Sequence, residues 1–405
     1  MHTTTAIALT VLVLAYAVVS GLVRRWYVAP ALIFVVFGVA LGPSVLGVVD
    51  VKNADAQSFT ILAQLALTVI LFNQASRLNL RTELRHGHLT VRLLAIGIPV
   101  TVGLGALTAA VLLPELPVWE AVCLAVIVAP NEVALIEAVL EDRRVPELVR
   151  HALSAESGFY DGFALAALFA ALAIASEQTD PEPARWVWFG VRTELISVAL
   201  GVAIGLIGAA VIVRSRARGW MSPTWAQLAT LALALISFAA GERLHASGFV
   251  AAFAAGLAFA AVSTITGQTA EATQVSDAIG ELLELLVFAM FGAFAVIAAW
   301  RDVGWRVVVF AIMALFAIRV VAVLLAMIRS DVPLTQTLFM GWFGPRGIGT
   351  LVLGLLVVDQ GEIQQGTVIA QAVVVTVTLS LVLHSLTAPL AVRLAAKSAQ
   401  PAQSA

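Results

Sequence analysis

Thirteen stretches of mostly apolar residues follow one another along the chain, and crossing a bilayer requires about 20 such residues. Hydrophobic residues make up 61% of the 405 residues and charged residues only 12%, which excludes a soluble enzyme and a disordered chain. We therefore expect an all-α polytopic membrane protein with thirteen transmembrane helices. The predicted spans are 6–23, 29–48, 57–74, 89–113, 118–140, 150–176, 186–213, 222–240, 246–262, 278–299, 304–328, 334–357 and 367–390.

The few charged residues predict how these spans are oriented. Basic residues near the ends of spans favour the cytoplasmic side of a membrane. If the N-terminus lies outside the cell, fifteen of these basic residues lie on the cytoplasmic side and five on the outer side. We therefore expect a multi-pass protein of the cell membrane with a cytoplasmic C-terminus. The net charge of −2 provides no basic face, so a nucleic-acid partner is not expected.

Two of the predicted spans are interrupted by helix-breaking and polar residues. The fifth contains Pro130, Asn131 and Glu132, and the twelfth contains the segment Gly344-Pro345-Arg346-Gly347. Proline removes a backbone donor and glycine loosens the helix, so both segments leave backbone groups free at membrane depth. An offset of seven spans gives the two interruptions opposite orientations, which predicts two inverted six-helix repeats with crossed broken helices. Two proline kinks in an ordinary helical bundle are the alternative.

The sixth span carries a cluster of polar residues on an otherwise apolar helix. Ser157 and Asp161 are four residues apart and share one helix face, where their oxygens suit a small hard cation. Glu156 points about 140° away from Asp161. It therefore needs another partner, for which the chain offers Arg346 or Arg319, unless it is solvated at the cytoplasmic end of the span.

These residues together resemble a known family of membrane proteins. The segment Ala129–Ala134 occupies the place of the family's Thr-Asp-Pro signature, and Glu156–Gly162 that of its Glu-Ser-x-x-Asn-Asp-Gly signature. Ser247-Gly248-Phe249, Arg319 and Gly344–Gly347 follow in the family's order. The chain is thus similar to the monovalent cation:proton antiporters of the sodium/proton exchanger superfamily, in its prokaryotic NhaP-like branch.

The resemblance implies a homodimer that works by alternating access without a cofactor, exchanging cations for protons. Asp161 would carry both ions in turn, with Ser157 and the backbone of Asn131 as further ligands, and Glu156 would pair with Arg346. Pro130 and Arg319 would support the site. The implied parts are scaffold helices in 1–88, core helices with the ion site in 89–176, a linker and scaffold helices in 177–303, core helices in 304–390, and a cytoplasmic tail in 391–405.

The sequence departs from the family pattern at two places in the site. Asn131-Glu132 stands where the family has threonine and aspartate, and Tyr160 replaces the asparagine before the key aspartate. These two departures change the size of the site, so potassium, lithium or another solute on the same fold remain open beside sodium, which the resemblance implies first. Exchangers of the electrogenic branch have two adjacent aspartates here, so the single Asp161 implies electroneutral exchange. An intramembrane aspartyl protease, suggested by Tyr160-Asp161, would need a second aspartate to share a proton.

Overall fold

A computed structural model describes residues 3–48, 53–78, 88–175, 183–266, 273–359 and 363–399. Within these ranges every regular element is helical. The helices are α1 (Thr3–Arg25), α2 (Pro30–Leu41), α3 (Asn53–Arg77), α4 (His88–Leu112), α5 (Val118–Val128), α6 (Val133–Leu140), α7 (Glu147–Ala175), α8 (Pro183–Ala217), α9 (Pro223–Arg243), α10 (Gly248–Thr266), α11 (Gln274–Arg301), α12 (Trp305–Ala326), α13 (Leu334–Trp342), α14 (Ile348–Asp359) and α15 (Gly366–Ala399).

Many of these helices have the length and composition of membrane spans. In the described part of the chain, eight helices qualify, and the pair α5 and α6 makes a ninth when it is counted as one bent span. Three shorter apolar helices, of 10–17 residues, lie in α2, α10 and α14. The prediction of an all-helical multi-pass protein is confirmed, while the number of thirteen and the inverted repeat stay predictions.

Both predicted interruptions are present as breaks between helices. Helix α5 ends at Val128, and α6 begins at Val133 after a bend of 43°. Helix α13 ends at Trp342, and residues 343–347 have no helical structure before α14 begins. We call residues 129–132 the first break and residues 343–347 the second break. Each contains a proline, which cannot donate the backbone hydrogen bond that would continue the helix.

The described residues form two compact units. The first comprises 1–60, 89–157 and 285–405, and the second comprises 61–88 and 158–284, apart from the undescribed residues within those limits. Both breaks and the backbone hydrogen bond between them belong to the first unit. The division into scaffold and core helices that the resemblance implies stays a prediction.

A polar cluster fixes the turn that follows α6 in the first unit. The carboxylate of Asp142 accepts hydrogen bonds from the backbone and guanidinium of Arg144 and from the hydroxyl of Tyr27, the last at 2.6 Å. Tyr27 has a φ of 57° in the connection between α1 and α2. The hydrogen bonds from Arg144 hold the pKa of the Asp142 carboxyl well below its usual range. This cluster therefore joins the end of the first broken span to the α1–α2 connection.

Close helix packing in each unit depends on glycine. A Cβ at Gly38 of α2 would lie 2.0 Å from the carbonyl oxygen of Ala289 in α11, and one at Gly292 would lie 2.2 Å from that of Val35. In the second unit, a Cβ at Gly201 of α8 would lie 2.2 Å from the carbonyl oxygen of Ala251. Backbones approach this closely in membranes because small residues leave room for van der Waals contact.

We predict that Gly38→Ala destabilises the protein, because the added methyl group must displace the backbone of α11. The expected cost is about 1–3 kcal/mol, typical of overpacking, and is measured as a lower melting temperature of the detergent-solubilised protein. Gly103→Ala is the matched control, since Gly103 lies in α4 and, among the described residues beyond its own helix turn, no atom lies within 4 Å of the place that its methyl group would take. Equal melting temperatures for Gly38→Ala and Gly103→Ala would contradict this account of the packing.

Candidate functional site

The two breaks are joined directly by a backbone hydrogen bond. The backbone N–H of Glu132 in the first break donates to the carbonyl oxygen of Pro345 in the second at 2.7 Å. A Cβ at Gly347 would lie 2.5 Å from Cγ of Glu132, so only glycine fits beside that side chain. One backbone donor and one backbone acceptor that the helices leave free are thus paired across the breaks, which suits the apolar interior of a membrane.

Oxygen atoms of the first break and of α7 lie side by side. The hydroxyl of Ser157 donates to the carbonyl oxygen of Asn131 at 2.9 Å and lies 3.4 Å from the backbone nitrogen of Val133. Asn131 is buried, and its side-chain oxygen Oδ1 accepts no hydrogen bond from the described residues. A buried acceptor without a donor is uncommon, and it suits a bound cation or water.

Glu156 forms a buried ion pair with Arg319, which corrects one expectation from the sequence. Both oxygens of the Glu156 carboxylate accept from the guanidinium, at 2.5 and 2.7 Å, and the two side chains are only 1% and 2% exposed. The prediction that Glu156 pairs with Arg346 is therefore wrong. The bidentate pair joins α7 to α12, and its geometry is that of the stronger kind of charge-assisted hydrogen bond.

Arg346 binds backbone carbonyl groups instead. Its Nε donates to the carbonyl oxygen of Val128, the last residue of α5, and its Nη1 donates to that of Gly344 at 2.5 Å. Carbonyl groups at a helix C-terminus lack partners within the helix and carry partial negative charge, so a cation there is favourable. Arg346 therefore binds a carbonyl group and not Glu156, because the end of α5 at the first break leaves the Val128 carbonyl oxygen as an acceptor.

The guanidinium groups of Arg319 and Arg346 both approach Gly344. A Cβ at Gly344 would lie 2.8 Å from Nε of Arg319 and 3.2 Å from Nη1 of Arg346. Because glycine has no side chain, the guanidinium groups of both buried arginines can lie against the backbone of the second break.

The remaining predicted site residues lie in or next to these elements. Pro130 is buried in the first break, and Tyr160 is buried in α7. The backbone of Asp161 belongs to the continuous helix α7, one turn after Ser157, while its side chain lies outside the described residues. The sequence reasoning missed Ser380 and His384, two buried polar residues of α15. Their spacing of four residues within an apolar helix is the signal that would have found them.

Comparison with known proteins identifies relatives over most of the chain. Residues 9–394 match the family model described as sodium/hydrogen exchanger, transmembrane. A protein named "Probable Na+/H+ antiporter" from Schizosaccharomyces pombe is 33% identical over 59% of this chain, and a K+/H+ antiporter, NhaP, from Alkalimonas amylolytica is 25% identical over 86%. The chain spans only 33% and 60% of the lengths of these two relatives.

A solved structure shows the same fold. The sodium proton antiporter MjNhaP1 from Methanocaldococcus jannaschii, determined at pH 8, superposes with a TM-score of 0.77. The match covers 95% of this chain and all of that chain at 18% sequence identity. This likeness shows a shared fold.

We predict that Glu156 and Arg319 are energetically coupled. Glu156→Gln or Arg319→Gln leaves an unpaired buried charge, which costs about 3–5 kcal/mol in soluble proteins, whereas the double variant leaves none. In a double-mutant cycle, the melting temperature of the double variant should therefore fall by less than the sum of the decreases in the two single variants. Additive effects would contradict the pair.

The exposed pair of Arg24 and Glu141 provides the control for this cycle. Its side chains are 59% and 47% exposed, and exposed pairs contribute about 0–1 kcal/mol. The same double-mutant cycle at Arg24 and Glu141 should show little coupling.

Proposed function

Because the chain belongs to the transmembrane sodium/hydrogen exchanger family, we propose that it exchanges a monovalent cation for protons across a membrane by alternating access. The observation that carries the proposal is the contact between the two breaks, with the oxygens of Asn131 and Ser157 beside it. Broken helices that meet inside a membrane are typical of the ion sites of secondary transporters. The family and the fold are those of transporters, so an intramembrane protease is not supported.

The proposed cation site consists of oxygen atoms from two helical segments. Asn131 contributes its carbonyl oxygen and Oδ1, which accepts no hydrogen bond from the described residues, and Ser157 contributes its hydroxyl oxygen. Asp161 would add a carboxylate, as the family resemblance implies, because in the sequence it follows Ser157 by four residues, the spacing of one helix face. Hard cations prefer such oxygen ligands. Sodium is the proposed cation, with potassium as the alternative because the relatives include antiporters named for each.

Asp161 is the proposed carrier of both the cation and the proton. Glu156, the other carboxylate of this part of α7, is engaged by Arg319 through both oxygens and is thereby withheld from exchange. A carboxylate with a neighbouring hydroxyl can hold either a proton or a cation, and the two exclude each other. Glu132 and Tyr160 differ from the family pattern and would adjust the size of the site.

The wider architecture follows from the same proposal. Residues 89–176 and 304–390 would form the mobile core, and 1–88 with 177–303 the scaffold and the linker helix. Predicted spans 1–6 and 8–13 would be the two inverted repeats. Two chains would assemble as a homodimer in the cell membrane, with the N-terminus outside and residues 391–405 in the cytoplasm. Support comes from the excess of basic residues on the inner side and from the two breaks.

We predict that Asp161→Asn abolishes exchange, because an amide cannot alternate between a proton and a cation. The parent protein in sealed vesicles should dissipate a preset proton gradient when sodium, potassium or lithium is added. Glu194→Gln removes a carboxylate of α8 outside the proposed site and should leave exchange intact. Near-normal exchange by Asp161→Asn would exclude Asp161 as the carrier, and an inactive parent would exclude the proposed function.

We predict electroneutral exchange, because one carboxylate alternates between one proton and one monovalent cation. Each net charge moved would couple to the membrane potential by about 2.3 kcal/mol per 100 mV. With the potential clamped by potassium and valinomycin and with sodium or lithium transported, the accumulation ratio should not depend on potential. A ratio that shifts with potential would contradict the single-carboxylate cycle. Glu132 is then the second titrating group to test, and Glu132→Gln should abolish the shift.

A further inference from the structure

Three polar residues form one face of α15, the helix that follows the second broken span. Ser380, His384 and Thr387 are spaced four and three residues apart, which places them on the same side of the helix. Ser380 is fully buried and His384 is 3% exposed. Polar groups at such positions are costly unless they are hydrogen-bonded, so their partners indicate their role. We call these three residues the polar face of α15.

Each residue of the polar face bonds to the second break or to the helix end that precedes it. Oγ of Ser380 accepts from the backbone N–H of Arg346 at 2.7 Å. Nε2 of His384 lies 3.0 Å from the carbonyl oxygen of Trp342, the last residue of α13. The indole N–H of Trp342 donates to Oγ1 of Thr387 at 3.1 Å. The polar face thus contacts the second break on both its sides.

Each ring nitrogen of His384 faces a backbone carbonyl oxygen. Nε2 lies 3.0 Å from that of Trp342, and a carbonyl oxygen only accepts, so the ring nitrogen that carries the hydrogen donates to backbone. Nδ1 lies 3.2 Å from Oγ and 2.9 Å from the carbonyl oxygen of Ser380. The Trp342 carbonyl oxygen, which accepts from the backbone N–H of Gly344 at 3.1 Å, is thus also contacted by a side chain from another helix.

Aromatic rings hold the imidazole in this orientation. The ring of Phe316 in α12 stacks on that of His384 with centroids 5.7 Å apart and lies 4.4 Å from the ring of Trp342. The ring centroid of Phe343, the first residue of the second break, lies 6.1 Å from that of His384. Stacked and tilted arrangements at these separations are favourable, and they leave the imidazole little freedom to rotate.

We propose that Ser380 and His384 are positioning residues for ion exchange. They hold the second break from both ends, so that the carbonyl oxygen of Pro345 reaches the N–H of Glu132 and the first break presents Asn131 to the cation. This inference rests on the proposed function. Neither residue touches the cation, and both act through the backbone of the second break.

The matched pair Ser380→Ala and Ser385→Ala tests the proposal. Both serines are buried in α15 and both accept from a backbone N–H, but Ser385 accepts from Ala29, which belongs to neither break. Ser380→Ala should raise the apparent KM for the cation about fivefold, the effect of one hydrogen bond, with a smaller change in maximal rate. Ser385→Ala should change KM less than about twofold. Equal KM changes in the two variants would overturn the proposal.

The variants of His384 provide a rescue experiment. His384→Leu removes both ring nitrogens and should raise KM, whereas the side-chain amide of His384→Gln can donate to the Trp342 carbonyl oxygen and should restore at least half of the loss. Failure of His384→Gln to improve on His384→Leu would contradict a role for this hydrogen bond.

Hydrogen–deuterium exchange separates this inference from the proposed function, because it requires no transport activity. Peptides covering residues 129–133 and 343–347 should exchange faster in Ser380→Ala than in the parent and should be unchanged in Ser385→Ala. Unchanged protection in Ser380→Ala would overturn the positioning role. If the parent showed no ion exchange but Ser380→Ala lost this protection, the proposed function would fail and the role of the polar face in holding the break would stand.

Discussion

The hydrogen bond between the N–H of Glu132 and the carbonyl oxygen of Pro345 joins two segments that could not exist separately in a membrane. An unpaired backbone group in hydrocarbon costs several kcal/mol, so a break in one transmembrane helix needs a partner outside that helix. Here each break provides the other's partner, and the glycine at 347 allows the close approach. The backbone oxygen of Asn131 is available to Ser157 at the same place because the helix is interrupted there.

Buried charge in this region is organised by two arginines with different partners. Arg319 engages the carboxylate of Glu156, while Arg346 binds carbonyl groups of Val128 and Gly344. Both side chains are almost fully buried, and both lie close to the backbone of Gly344. Because Glu156 is engaged, Asp161 is the carboxylate that we assign to exchange, and this assignment is the basis of the proposed single-carboxylate cycle.

Local signals in the sequence were sufficient to predict the breaks. They were not sufficient to predict the contacts between residues that are far apart in the sequence. Pro130 and the Gly344–Gly347 segment act on their own backbone, so their effect can be derived without knowing the neighbouring helices. The partner of Glu156 depends on how α7 and α12 are rotated against each other, which sequence spacing does not determine. The acceptor that engages Arg346 exists only because α5 ends at Val128. The role of Ser380 and His384 likewise depends on which face of α15 meets the second break.

The central claim is that one site holds either a proton or a cation. Its most direct test is to titrate the purified protein with sodium in a weakly buffered solution and to measure cation binding and proton release together. At a pH where the site is protonated, the account predicts one proton released for each cation bound, and neither event in Asp161→Asn. Cation binding without proton release, or release that persists in Asp161→Asn, would contradict the shared site.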